Sequence, residues 1–120
     1  MDTLLIGATS FAADILLSPI ITQPIYAALH ESYEQLPGIV LGSGYATLGY
    51  GVSSLLTGTP FNSAALVATA GGAAVNHAIS GRYLYWPIVN QYPKAQPLLG
   101  PAITSSGAVF GKMLYDIASN

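Results

Sequence analysis

Apolar residues fill the chain in long runs that polar residues interrupt at only a few places. Between Gln35 and Gly81 there is no charged side chain, and this run is about twice the ~20 residues that a helix needs to cross a hydrocarbon core. The cluster Gly58-Thr59-Pro60-Phe61-Asn62 divides the run and has the composition of a turn. The pattern therefore predicts a helical hairpin, with one helix over residues 37–57 and the second over residues 61–79.

Two more apolar segments flank the hairpin, over residues 3–18 and 97–117. The first has the length of a secretory signal, but Asp2 stands where such a signal carries a basic residue, and Asp14 interrupts the apolar run. We therefore predict that this segment belongs to the mature protein. The whole pattern predicts an all-α fold, a single membrane domain over residues 1–120 with three to four transmembrane helices.

The scarcity of charge supports a multi-pass membrane location. Three basic and five acidic residues make eight charges in 120 residues, whereas roughly 25% of the residues in a soluble domain are charged. Eight charges cannot cover a water-facing surface of this size. Disorder does not fit either, because 52% of the residues are hydrophobic. A lipid-facing β-barrel would alternate apolar and polar residues, and residues 64–68 do not alternate.

Charge and cysteine content exclude several classes of function. The net charge of −2 gives no basic patch for nucleic acid, so we expect none as a partner. The absence of cysteine excludes disulfides, thiolate metal sites and a cysteine nucleophile. No dinucleotide fingerprint or nucleophile elbow is present. We therefore expect no catalytic residues, no metal and no cofactor, and as partners a lipid bilayer and other membrane protein subunits.

Small residues recur at a spacing of four in three of the predicted helices. Helices in lipid gain little from apolar contact with each other and associate through close backbone approach at small residues. The predicted helix-packing positions are Gly38, Gly42, Ala46, Ala64, Ala68, Gly72, Gly107 and Gly111. This pattern predicts tightly packed helices.

Three polar residues fall inside the apolar segments: Asp14, Asn76 and His77. A carboxylate within a span costs on the order of 3 kcal/mol and faces protein or water. We interpret Asp14 as a structural hydrogen-bonding group to a neighbouring helix, with a proton or cation site as the alternative. For Asn76 and His77 we expect interhelical hydrogen bonding. The alternative is a metal site that combines His77 with His30 and a glutamate.

The stretch Thr47-Leu48-Gly49-Tyr50-Gly51 resembles the selectivity filter of potassium channels, in which backbone carbonyls replace the water shell of the ion. The resemblance covers these five residues, and Val52 stands where an acidic residue commonly follows the filter. It implies an ion channel as an alternative function.

Aromatic and basic residues concentrate in residues 81–96, where Trp86-Pro87 and Tyr92-Pro93 predict that no helix continues. Tyrosine, tryptophan and basic side chains are typical of the membrane–water interface and also of protein interfaces. We predict an interfacial loop that also contacts a partner through Arg82, Tyr83, Tyr85, Trp86, Tyr92 and Lys94.

The expected function is that of a non-enzymatic structural or assembly subunit of a larger membrane-embedded complex, either a multisubunit membrane complex or the membrane of a virion. A small ion channel or carrier is the first alternative. The second is a capsid-like structural subunit whose apolar surface is covered by neighbouring subunits.

Overall fold

The computed structural model describes residues 3–25 and 36–119, and these residues are almost entirely helical. The all-α prediction is confirmed. These described ranges contain five α-helices: α1 Thr3–Leu17, α2 Leu36–Thr57, α3 Ser63–Ser80, α4 Trp86–Gln91 and α5 Gln96–Ser119. A π-helical turn, Ser18–Thr22, extends α1, and the helical path continues to Ile25. A second π-helical turn, Gly81–Tyr85, extends α3.

The four long helices form an up-and-down bundle in which each neighbour is antiparallel. α1 packs on α2 and α5, and α3 packs on α2 and α5, with the α3–α5 contact the most extensive. Asn62 at the start of α3 bonds Tyr115 near the end of α5, whereas Asn76 bonds Ile103 near the start of α5. Similarly, Thr3 at the start of α1 donates a hydrogen bond to Asp116 near the end of α5. α1 and α3 therefore lie on one diagonal of the bundle.

The turn between α2 and α3 has clear local causes. Gly58 has a φ of 68°, a left-handed conformation that glycine adopts without a steric penalty. Asn62 is the N-cap of α3, and its side-chain oxygen accepts from the backbone N–H of Ala65 at 3.1 Å. Tyr50 secures the turn, because its hydroxyl bonds both backbone groups of Asn62. This cap explains why α3 begins at Ser63 and not at residue 61 as predicted.

The prediction of a loop over residues 81–96 is wrong. These residues form the π-helical turn, α4 and a 3-10 turn, Pro93–Ala95. Proline was expected to stop a helix at Pro87, but the π-helical turn Gly81–Tyr85 leads directly into α4, of which Pro87 is the second residue. A local π-helical adjustment allows a helix to accommodate a proline. The last long helix begins at Gln96 and contains Pro101.

Within residues 3–25 and 36–119, two segments are long and apolar enough to cross a membrane, Thr3–Ile25 with 23 residues and Gly38–Thr57 with 20 residues. The bundle measures 41 × 26 × 22 Å. Its long dimension corresponds to a bilayer with its headgroups, about 40–45 Å.

The bundle carries large apolar side chains on its outside, and its interior combines a small apolar core, which includes Ile6, Ala46 and Tyr50, with polar side chains. Leu55, the most exposed of the large apolar residues, is 85% accessible. The exposed apolar positions occur on all four long helices: Leu4, Leu16, Val40, Leu48, Leu55, Val67, Val75, Ile79, Phe110, Leu114 and Ile117. The buried polar side chains are Ser10, Asp14, Ser53, Thr69, His77, Ser80, Thr104 and Lys112. So many large exposed apolar side chains, together with buried polar groups, are unusual for a water-exposed surface.

Candidate functional site: a buried polar network

Three helices contribute one polar side chain each to a hydrogen-bonded chain in the bundle interior. Thr104 of α5 donates its hydroxyl proton to Asp14 Oδ2 of α1 at 2.7 Å. The same hydroxyl oxygen lies 2.7 Å from His77 Nε2 of α3. Thr104 therefore links α1 and α3, which face each other across the bundle diagonal. All three residues are buried, with Asp14 4% exposed.

The hydrogen-bond directions follow from the single proton of the threonine hydroxyl. When Thr104 donates to Asp14, its oxygen is free to accept, and His77 then donates from Nε2–H. The chain runs from imidazole through hydroxyl to carboxylate. In a triad for nucleophilic catalysis the histidine stands between the hydroxyl and the carboxylate. Here the hydroxyl is in the middle, so the order suits the passage of protons and not the activation of Thr104 as a nucleophile.

The helix faces explain why these residues meet. Asp14 follows Ile6, Gly7 and Ser10 on the buried side of α1, spaced by three or four residues. His77 similarly follows Ala73 on the buried side of α3. The histidine ring fits because α2 presents Gly42 to it.

The contact between Gly42 and His77 is close. A Cβ atom at Gly42 would lie 2.5 Å from His77 Nε2, whereas real Cβ atoms essentially never approach a heavy atom closer than 3.0 Å. Glycine at this position therefore admits the imidazole ring into the bundle interior. The predicted packing position Gly42 has a second role, since it also shapes the polar network.

A cavity of about 40 Å³ adjoins the network. It is large enough for a water molecule. At its edge the hydroxyl groups of Tyr45 and Thr22 form a hydrogen bond, with their oxygen atoms 2.5 Å apart. The residues that line the cavity are Asp14, Ser18, Thr22, Gln23, Gly38, Leu41, Gly42, Tyr45, His77, Pro97, Gly100 and Pro101. The cavity places Asp14 and His77 beside the same small polar space.

Asn76 forms a separate link between α3 and α5. Its side-chain amide donates to the carbonyl oxygen of Ile103 at 2.9 Å and to Ser106 Oγ at 3.0 Å. Its carbonyl oxygen accepts from Ser80 at 2.9 Å. Asn76 thus makes the kind of interhelical hydrogen bond expected of it, but it does not join Asp14 and His77.

Thr104 was not predicted from the sequence to take part in the network. Its hydroxyl is one of three in Thr104-Ser105-Ser106, and nothing in that run distinguishes it. A usable signal lies in the packing face predicted from Gly107 and Gly111, because residue 104 falls on the same face about one turn earlier. Thr104 is buried, whereas Ser106 is exposed.

The predicted small-residue positions lie in different surroundings. Gly72, Gly107 and Gly111 form the closest part of the α3–α5 contact, where a Cβ at Gly107 would lie 2.6 Å from the carbonyl oxygen of Gly72. Ala68 touches Gly111 in the same contact. Gly38, Gly42 and Ala46 are buried on α2. Ala64 is exposed, one turn beyond this contact at the beginning of α3.

A carbonyl filter at Thr47–Gly51 is contradicted by the structure. The five residues lie within α2, where helical backbone carbonyls accept hydrogen bonds from the residues four positions later. Such carbonyls cannot form stacked rings for an ion. Tyr50 is buried and bonds Asn62 at the α2–α3 turn.

The predicted partner segment exposes part of its aromatic surface. Tyr83 and Tyr92 are exposed, as is Lys94. The side chains of Arg82, Tyr85 and Trp86 lie outside the described part of the structure, and so does His30, on which the alternative metal site depended. Among the residues that the structure describes, no group of three histidine, aspartate or glutamate side chains could hold a metal ion.

A second charged group lies near the opposite end of the bundle. Lys112, with its side chain 8% exposed, forms an ion pair with Asp116 at 2.5 Å, one turn later on α5. Its ammonium group also lies 5.9 Å from the centre of the Tyr115 ring, within range of a cation–π interaction. The charge of Lys112 is thus paired within α5.

Comparison with known proteins gives no relative: no family model, no curated protein and no solved structure matches the chain. Function must therefore be inferred from the geometry of the bundle.

Proposed function

We propose that this chain is a non-enzymatic, multi-spanning membrane subunit that packs within a larger membrane assembly. The observation that carries the proposal is the exterior of the bundle, where large leucine, valine and phenylalanine side chains are exposed on all four long helices, while hydroxyl, imidazole and carboxyl groups are buried beside a small apolar core. In water, such a surface would drive aggregation. In lipid, it is the stable arrangement, because polar groups there must find partners inside the protein.

The lengths of the helices support four crossings. At 1.5 Å per residue, the 18 residues of α3 extend about 27 Å and the 24 residues of α5 about 36 Å. The hydrocarbon core of a bilayer is about 30 Å thick. Small and hydroxyl residues make up most of α3, and this composition suits a helix that packs against protein on several sides.

A groove between α3 and α5 supports the assembly role. It encloses about 760 Å³. Its floor contains the closely packed glycines Gly72, Gly107 and Gly111, and its walls include Val75 and Phe110. Gly71, which also lines the groove, has open space where a Cβ would lie, so the backbone of another helix can approach there, which is how helices associate in lipid. We propose that a transmembrane helix of a partner subunit occupies this groove.

Site-specific photocrosslinking in the native membrane tests the assembly role. A photoreactive phenylalanine analogue at Phe110 should form a covalent adduct with one protein, and that protein should co-purify with the unmodified chain in a fixed ratio in mild detergent. The matched control is Leu16, which is exposed on α1, away from the groove; the analogue there should label lipid. The assembly role is contradicted if Phe110 labels only lipid and the chain purifies alone.

A further inference from the structure

The two oxygens of the Asp14 carboxyl group have different surroundings. Oδ2 accepts a hydrogen bond from the hydroxyl group of Thr104. In the described part of the chain, no side chain donates to Oδ1, and Asp14 lines the cavity of about 40 Å³. One oxygen is thus held inside the bundle, and the carboxyl group also borders a space in which a water molecule can bring or remove a proton.

We propose that Asp14, Thr104 and His77 together bind one exchangeable proton, which enters and leaves through the cavity at Asp14. The ligand is a proton and the carrier is water. This role is independent of any partner subunit, since all three side chains and the cavity belong to one chain. It makes Asp14 a proton-binding residue, Thr104 the relay and His77 the second acceptor.

The network can hold that proton in two ways that differ only in hydrogen positions. In the first, the carboxyl group carries it on Oδ2 and donates to Thr104, whose hydroxyl donates to an unprotonated His77 Nε2. In the second, the proton on Oδ2 has moved to the Thr104 oxygen, and the original hydroxyl proton has moved to Nε2. Asp14 is then a carboxylate and His77 an imidazolium. Two O–H bonds break while one O–H and one N–H bond form, and no heavy atom moves far.

The hydrogen-bond lengths allow this exchange, because both links measure 2.7 Å, within the range of direct proton transfer between heavy atoms. The other titratable side chain at the cavity is Tyr45 of α2, whose hydroxyl is bonded to Thr22. α5 contributes Thr104 and the cavity prolines Pro97 and Pro101. Lys112 lies eight residues, or about 12 Å, further along α5 and is paired with Asp116.

Infrared spectroscopy of the purified chain in lipid nanodiscs tests proton binding at Asp14. A pH titration should reveal the carbonyl stretch of a protonated carboxyl group that is absent in Asp14→Asn and shifts promptly in D₂O. Asp116→Asn is the matched control, because it removes a carboxylate at the other end of the bundle and should retain the band. Circular dichroism should show both variants folded. The proposal is overturned if the folded wild type and Asp14→Asn have the same carboxyl bands at every pH.

Nitrogen NMR of His77 tests the relay. The ring-nitrogen shifts of His77, assigned with His77→Gln, should follow the Asp14 titration in the wild type and in Thr104→Ser, which keeps the hydroxyl. In Thr104→Val they should no longer follow it, while the Asp14 band persists. If Thr104 is purely structural, the His77 shifts should follow the Asp14 titration in every folded variant. That result would show that Thr104 does not transfer the proton. Failure of both tests would leave the membrane assembly role unaffected, since that role depends on the exterior of the bundle.

Discussion

The imidazole ring of His77 rests directly on the backbone of Gly42. This contact fixes the third helix relative to the second and holds the ring beside Thr104. A methyl group at Gly42 would occupy the position of the ring. The neighbouring Gly44 has open space at the same point, which provides a matched comparison on one helix.

We therefore expect Gly42→Ala to displace His77 and to lower the free energy of unfolding by about 1–3 kcal/mol, the usual cost of forcing extra volume into a packed interior. Gly44→Ala should leave stability unchanged or raise it slightly, because alanine favours helix over glycine. Reversible unfolding in mixed detergent micelles measures both. If the two substitutions change the free energy of unfolding equally, the contact between Gly42 and the His77 ring does not contribute to stability.

The α3–α5 contact should depend on glycine at its centre. Gly72→Ala should destabilise the bundle, because a Cβ there would lie 2.8 Å from the Cα of Gly111 and meet the carbonyl oxygen of Gly107. Backbone cannot move aside as a flexible side chain can, so we expect a loss of about 2 kcal/mol or more. Gly71→Ala, one residue earlier, meets no atom within 4 Å and should be tolerated. Thermal denaturation in detergent compares the two, and an equally stable Gly72→Ala would contradict this packing.

Thr104→Val should lower the free energy of unfolding by more than an ordinary surface substitution does. It keeps the shape of the side chain but leaves Asp14 and His77 without their common partner. Interhelical hydrogen bonds in membrane proteins average about 0.6 kcal/mol, and leaving buried polar groups unpaired adds to this, so we expect a loss of about 1–3 kcal/mol. Thr104→Ser should recover most of it. Ser105 is not fully buried and serves as the control. If Ser105→Val lowers the free energy of unfolding as much as Thr104→Val, the hydrogen bonds of Thr104 contribute no more to stability than those of its neighbour.

Asn62 should stabilise the α2–α3 turn through its cap. Asn62→Ala removes the bond to the Ala65 N–H and the bond to the Tyr115 hydroxyl, and loss of an N-cap typically costs about 1 kcal/mol. Asn62→Asp retains the oxygen that accepts the capping hydrogen bond, so it should lose less stability. The exposed neighbour Ser63 serves as the control, because Ser63→Ala should have little effect in the same unfolding measurement.

The sequence predicted the helical class and the division of the chain well, for identifiable reasons. The uncharged run to Gly81 and the turn around Gly58 are strong local signals. The segment after Gly81 was predicted less well, because Trp86-Pro87 has the pattern of a helix end, whereas the π-helical turn Gly81–Tyr85 continues the helical path past it. The site was predicted in part. Asp14 and His77 were recognisable as polar residues in apolar segments, but their connection depends on Thr104 and on the diagonal arrangement of α1 and α3, which no local pattern encodes.

We propose that lipid, and not water, surrounds the exposed apolar side chains. Because the chain has no cysteine, single cysteines can be introduced at Val75 and Phe110, which are 58% and 61% accessible on the bundle, and at the exposed residue Asn90 of α4 as the aqueous control. In intact proteoliposomes, labelled separately from either side, a charged maleimide that cannot cross membranes should modify Asn90→Cys but neither Val75→Cys nor Phe110→Cys, despite their exposure. Rapid modification of all three in the folded protein would show that water reaches these side chains and would contradict a membrane location.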